Sequence, residues 1–163
     1  MIRFVGWLAL IAAVIGLDQW SKIAVLQHFQ LYERLPVTSF FDLVLVYNPG
    51  AAFSFLAEHG GWQRWFFTAL AVVISSWLLV MIWRNRSEWL QPWAFSMVVG
   101  GALGNVIDRF AYGAVVDFLA FHVDRHYWPA FNLADSAICL GVALMVLAQF
   151  RESRKQKNTT IKI

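Results

Sequence analysis

The chain has 163 residues, 60% of them hydrophobic and only 14% charged, with a mean hydropathy of +0.57. A water-soluble domain carries about a quarter of its residues as Asp, Glu, Lys or Arg, so this composition excludes an ordinary soluble globule. With 9 Trp, 4 Tyr and 14 Phe, much of the surface has lipid as its solvent. The net charge of +3 does not point to nucleic acid, because five of the thirteen basic residues, Arg151, Arg154, Lys155, Lys157 and Lys162, lie in the last thirteen positions. That is the pattern of a cytoplasmic membrane flank.

Membrane spans need about 20 mostly apolar residues. The first candidate runs from Phe4 to Leu26 and is interrupted only by Asp18, Gln19 and Lys22 near its end. It does not read as a cleaved signal peptide, since the apolar run continues past Asp18 to Leu26 with no small-x-small cleavage site after it. The next stretch, 27–61, contains Phe40 to Tyr47, rich in β-branched and aromatic residues and closed by Asn48-Pro49-Gly50. This predicts a small strand element lying on the outer membrane surface.

Trp65 to Trp83 and Trp89 to Ile107 are uncharged and predict the second and third spans. The connection 109–129 holds another extended-looking run, Ala114 to Leu119, within an expected loop or short helix. A fourth apolar run, Tyr127 to Phe150, places the last span at 130–150 with Asp135 near its start, and 151–163 is a polar tail. The expected fold class is therefore mainly α and polytopic. It has four transmembrane helices in a single membrane domain, with a small β element and a loop or short helix on the outer surface. Cys139, the only cysteine, excludes an internal disulfide or a paired-thiolate zinc site and reads as a small apolar side chain of the last span.

Four spans put both termini and the middle connection on one side. Those regions hold eight of the thirteen basic residues, whereas eight of the ten acids fall on the other side: Asp18, Glu33, Asp42, Glu58, Asp108, Asp117, Asp124 and Asp135. Both termini are thus expected in the cytoplasm. Trp20, Trp62, Trp65 and Trp128 mark the outer interface, and Trp83, Trp89 and Trp93 the inner one.

This orientation makes the polar residues converge at the outer end. Asp18 and Lys22 are spaced i,i+4 and can pair as a brace. Asp108 and Arg109 can anchor the interface, with Arg109 snorkelling toward headgroups. The glycines of Gly100 to Gly104 suit close helix packing. Asp117 and Asp135 lie in apolar surroundings without a basic residue at helical spacing, and an ionisable group at that depth is costly unless paired or wet. Two such acids suit a carboxyl pair that shares a proton and activates a water against an amide.

His122 and His126 lack the glutamate of a zinc-protease helix and read as a surface loop pair. Neither a Ser/Lys arrangement nor a G-x-S-x-G elbow is present. A proton- or ion-coupled transporter is the alternative function, but it needs a polar path to the cytoplasmic half. There the second span offers only Thr68, Ser75 and Ser76, and the third only Ser96. A non-catalytic scaffold would not need the two isolated aspartates.

Five blocks, in order, resemble the bacterial lipoprotein signal peptidases, the signal peptidase II family. They are Asp18-Gln19-Trp20-Ser21-Lys22; Asn48-Pro49-Gly50-Ala51-Ala52-Phe53; Gly100 to Arg109; Val115-Val116-Asp117-Phe118; and Phe131-Asn132-Leu133-Ala134-Asp135-Ser136. The resemblance implies an aspartic endopeptidase of the inner membrane with its active site near the periplasmic face and no cofactor or metal. Its substrate would be a prolipoprotein, cut on the amino side of a diacylglyceryl-modified cysteine, and its inhibitor a globomycin-type cyclic peptide. By the same resemblance Asp117 and Asp135 match the catalytic aspartates. Asn48, Asn105, Arg109 and Asn132 match polar residues lining the substrate or inhibitor site, and Asp18 and Lys22, with Asp108 beside them, match supporting residues.

Overall fold

The structure, a computed structural model, describes residues 1–50 and 61–160. In chain order it comprises α1 (Ile2–His28), β1 (Arg34–Pro36), β2 (Phe41–Asn48), α2 (Trp62–Arg84), α3 (Leu90–Tyr112), β3 (Val115–Val123), β4 (His126–Tyr127) and α4 (Leu133–Thr160). The protein is mainly α, with one antiparallel sheet in the order β1-β2-β3-β4.

Among the described residues, three helices are long and apolar enough to cross a membrane: Ile2–His28, Trp62–Arg84 and, within α4, Leu133–Arg151. The fourth expected span, α3, falls outside this set by composition and not by length. Its 23 residues reach about 35 Å at 1.5 Å per residue, enough for a hydrocarbon core of about 30 Å. Its composition is less apolar because it is the central helix. It packs against α1, α2 and α4, whereas α2 and α4 have no closely packed face between them among the described residues. Buried residues of α3 include Ser96, Asn105, Asp108 and Arg109, so protein rather than lipid surrounds much of it.

The close approach of α3 to its neighbours depends on glycine. A Cβ on Gly101 would collide with the Ala134 carbonyl oxygen of α4, and one on Gly104 would lie 2.6 Å from Asp18 Oδ2 of α1. The expected packing role of this glycine run is therefore met in its geometry. Away from the sheet, α1, α2 and α3 meet in an apolar cluster of Trp7, Ile11, Leu78, Ile82, Phe95, Val98 and Val99.

The strand expected over Phe40 to Tyr47 forms one residue later, as β2. The extended-looking run expected at Ala114 to Leu119 forms as β3, and the rest of that connection adds β4 where a loop or short helix was expected. The strand extends to Val123, beyond the run Ala114 to Leu119, and Asp124, at φ 50°, turns the chain back. His122 pairs with Tyr127 and Val123 with His126 across this hairpin, so the two histidines lie on facing strands and not on a helix. The polar tail is not a separate loop: α4 runs helically to Thr160. Residues 51–60 and 161–163, which include Ala51, Ala52, Phe53 and Glu58, lie outside the described residues.

A bulge in β2 shapes the sheet. Leu43 faces Leu119, but Val46 faces Asp117, so β2 carries one residue more than β3 over the same interval. Val44 and Leu45 lie within the bulge and are both buried. Before the bulge, the odd-numbered residues of β2 share a face with Leu119 and Phe121; after it, the even-numbered ones share a face with Val115 and Asp117. The shift puts Asn48 on the same face as Asp117. The opposite face packs Leu45, Val116 and Phe118 against Val25 at the end of α1.

Gly104→Ala is expected to cost about 1–3 kcal/mol, because Asp18 is held from several sides and cannot retreat. Gly6→Ala, where nothing lies within 4 Å of the added carbon, should cost nothing and gain up to about 1 kcal/mol of helix propensity. Thermal unfolding of both variants in detergent measures the contrast, and equal losses would contradict this reading of the α1–α3 approach.

Candidate active site

The polar residues singled out in the sequence lie at one end of the bundle, where α1 and α3 finish, α4 begins and the sheet covers them. Lys22 is their centre. Its ammonium donates to Asp18 Oδ2 at 2.8 Å, Asp108 Oδ2 at 2.7 Å and Asn105 Oδ1 at 3.0 Å. An ammonium has three donors, and all three are used. Lys22 is 1% exposed and both carboxylates 0%. Asp108 is therefore an internal counter-ion and not an interface anchor, and Arg109 is buried rather than snorkelling.

The two carboxylates in turn hold backbone. Asp18 Oδ1 accepts the N–H of Ala134 at 2.9 Å, one of the unpaired donors at the start of α4. Asp108 Oδ2 accepts the N–H of Val116 on β3 at 3.0 Å. Gln19 Nε2 donates to Asp108 Oδ1 at 2.8 Å. Sequence reasoning gives Gln19 no role of its own, and its place beside Asp18 is the one signal that points to it.

Asn132 joins the two isolated aspartates. It is fully buried and precedes the first residue of α4, where its Oδ1 accepts the N–H of Asp135 at 2.9 Å while Asp135 Oδ2 accepts the N–H of Asn132 at 3.3 Å. This is a reciprocal capping box with Asn and Asp in place of the usual Ser or Thr and Glu. The Nδ2 of Asn132 donates to Asp117 Oδ1 at 2.7 Å. Asn48 Nδ2 donates to Asp117 Oδ2 at 3.0 Å, and Asn105 Nδ2 to Asp135 Oδ1 at 2.8 Å. The Asn105 amide is oriented by Lys22, which claims its oxygen and leaves its nitrogen for Asp135. Each carboxylate oxygen of the pair thus meets a neutral amide donor, with no cation in direct contact among the described residues.

Asp117 is 2% exposed. Burial, and next the charge of Asp135, raise its carboxyl to about 7 against the opposing hydrogen bonds from Asn48 and Asn132. Near neutral pH this group is poised between acid and base.

A cavity of about 600 Å³ opens from this cluster. Asn48, Asn105, Arg109 and Asp135 line its polar head, and Phe67, Leu70, Ile74, Ala102, Ile138 and Cys139 its apolar length between α2, α3 and α4. Arg109 Nη1 donates to the Asn105 carbonyl and Nη2 to the Gly50 carbonyl, both at 3.3 Å, while its buried Nε has no hydrogen-bond partner among the described residues. Cys139 is exposed and lines this cavity, a place its apolar neighbours in sequence do not reveal. On the sheet, Asp42 bonds Arg34 at 2.9 Å and His122 at 3.3 Å. The Arg34 hydrogen bond holds the Asp42 carboxyl below its ordinary range, so this acid stays ionised and serves the sheet.

Two acids joined through Asn132 thus lie beside an apolar cavity between membrane-length helices. Two solved structures described as bacterial membrane enzymes share the fold. One is 28% identical with a TM-score of 0.81, covering 91% of this chain and 89% of the other. The second is 29% identical with a TM-score of 0.77, covering 88% and 92%. Residues 10–151 match the family described as signal peptidase (SPase) II. A lipoprotein signal peptidase of Azoarcus sp. (strain BH72) is 62% identical over 153 residues, 94% of this chain and 87% of that protein. One from Neisseria meningitidis serogroup C (strain 053442) is 53% identical over 154 residues, covering 94% and 93%. The chain belongs to the signal peptidase II family of bacterial membrane proteases.

Lys22→Met leaves Asp18 and Asp108 buried without their cation and is expected to destabilise the fold by about 3 kcal/mol or more. Denaturant or thermal titration in detergent measures this, and a variant as stable as the parent would show that the ion cluster does not hold the site.

Proposed function

We propose that the protein is an aspartic endopeptidase that removes the signal peptide from diacylglyceryl-modified prolipoproteins, cutting on the amino side of the lipidated cysteine. The observation that carries this reading is Asn132 bonded to both Asp117 and Asp135 at the head of an apolar cavity. Family membership supplies the substrate class. Four helices, α3 included, cross the inner membrane in a single domain. Both termini are cytoplasmic, as the basic residues near 3, 84–86 and 151–157 favour, so the sheet and the acid pair lie at the periplasmic face. Hydrolysis needs water and the substrate arrives through lipid, and a site at that boundary meets both.

Asp117 and Asp135 act as a unit holding one proton. The ionised member takes a proton from water as its oxygen bonds to the scissile carbonyl carbon. The protonated member gives its proton to the amide nitrogen as the C–N bond breaks, leaving a new carboxylate and the free α-amino group of the cysteine. Asn48, Asn105 and Asn132 hold the carboxyls in place, and Asp18, Lys22 and Asp108 hold these amides and the backbone beneath. The Nε of Arg109 can donate to a substrate carbonyl oxygen. A globomycin-type cyclic peptide would block the same cavity.

Asp117→Asn and Asp135→Asn should each remain folded and lose about a thousandfold or more in kcat. Cleavage of a diacylated prolipoprotein by the purified variants is the test, and full turnover by either sinks the pair. Parental cleavage should survive EDTA; loss with chelator would indicate a metal enzyme.

Activity should also track the shared proton. A raised carboxyl is protonated below its midpoint and ionised above it, so kcat/KM should fall as pH rises through about 7. A profile flat across that region would contradict the assignment.

A further inference from the structure

A second, open groove of about 820 Å³ lies on the sheet, lined by Phe40, Phe121, His122, Val123, His126, Tyr127, Trp128 and Phe131. It is built of exposed aromatic rings. Phe121 stacks between Phe40 and Phe131, with centroids 6.4 and 5.9 Å apart and planes within 11° and 16°. Phe40, Phe121, Tyr127 and Trp128 are all exposed. Trp128 and Phe131 line both this groove and the cavity that Asp135 lines, so the two are continuous around one shared wall.

The register of the sheet gives this continuity a direction. Asp117, Leu119, Phe121 and Val123 alternate onto one face of β3. Phe131 is bridged to Leu119, and His126 is paired with Val123. That sheet face therefore carries Asp117 at one end and Phe121, Val123, His126 and Phe131 of the groove at the other, while His122 and Tyr127 of the groove belong to the opposite face. Four residues separate Asp117 from Phe121, about 13 Å at 3.3 Å per residue. An extended peptide whose scissile bond is at the carboxyl pair reaches the groove within about four residues.

Resting on the cleavage proposed above, we infer that this groove binds the first residues of the mature polypeptide, those just after the lipidated cysteine. The other arms of the substrate are the apolar signal segment and the acyl chains. They match the apolar length of the cavity between α2, α3 and α4, whereas the groove lies beyond the helix ends, where the mature chain must leave for water. Flat rings that offer π faces suit a peptide chain of variable sequence. That fits an enzyme required to accept many different mature chains.

The test is a series of synthetic diacylated substrates ending one, two, four, six or eight residues after the cysteine, cleaved by the full-length protein in detergent. The series is expected to gain about tenfold in kcat/KM up to four to six residues and then level off. Phe121→Ala and Val123→Asp, checked for folding by thermal unfolding, should flatten that gain. A parental rate independent of length overturns the inference while leaving the cleavage reading intact. No cleavage of any member removes the cleavage reading itself. A gain with length that both folded variants retain in full also overturns the groove assignment.

Discussion

The site rests on one ammonium group buried where it has no access to water. Burying such a group is costly unless it is paired, and each of the three acceptors of Lys22 belongs to a structural element that shapes the site. Asp18 reaches across from α1 to cap α4, Asp108 on α3 accepts a backbone donor of β3, and Asn105 on α3 turns its amide toward Asp135. Removing any one contact leaves an uncompensated charge or donor, so the cluster locks three helices and a strand into one arrangement.

The Asp117 and Asp135 carboxyls gain from this without touching the ammonium. A cation in contact with either would keep it ionised and useless as an acid. Here the positive charge acts through Asn105, and the pair receives only neutral amide donors. Burial, and next the Asp135 charge, then raise the Asp117 carboxyl against the hydrogen bonds from Asn48 and Asn132. Two systems of acids thus lie side by side, one paired with the Lys22 ammonium and the other met only by neutral amide donors.

Much of this is legible in the sequence because charge is so scarce. Asp18 and Lys22 stand out by their i,i+4 spacing, and Asp117 and Asp135 by isolation among apolar neighbours. The glycine run in α3 signals close packing. What is not legible depends on pairings distant in the chain. The β2 bulge, which changes the parity of the strand and brings Asn48 onto the face of Asp117, has no local signature in Phe41 to Asn48. The capping box at Asn132 and Asp135 has the spacing of such a motif but residues other than the usual ones. Asp108 looks like an interface anchor in the sequence because its partner lies 86 residues away on α1. The α3 segment looks like any other span because sequence does not show which helix of a bundle is central. Cys139 resembles any small residue of an apolar helix, and only the gap between α2 and α4 places it on the cavity wall.

The most direct test of the central claim is a structure of the protein with a lipopeptide whose scissile amide is replaced by a hydroxyethylene group, its hydroxyl standing for the attacking water. The account predicts that hydroxyl within hydrogen-bonding distance of both Asp117 and Asp135, with Asn132 still bridging them. A hydroxyl bound away from either carboxyl, or a pair separated by the ligand so that only one carboxyl reaches it, would contradict the account.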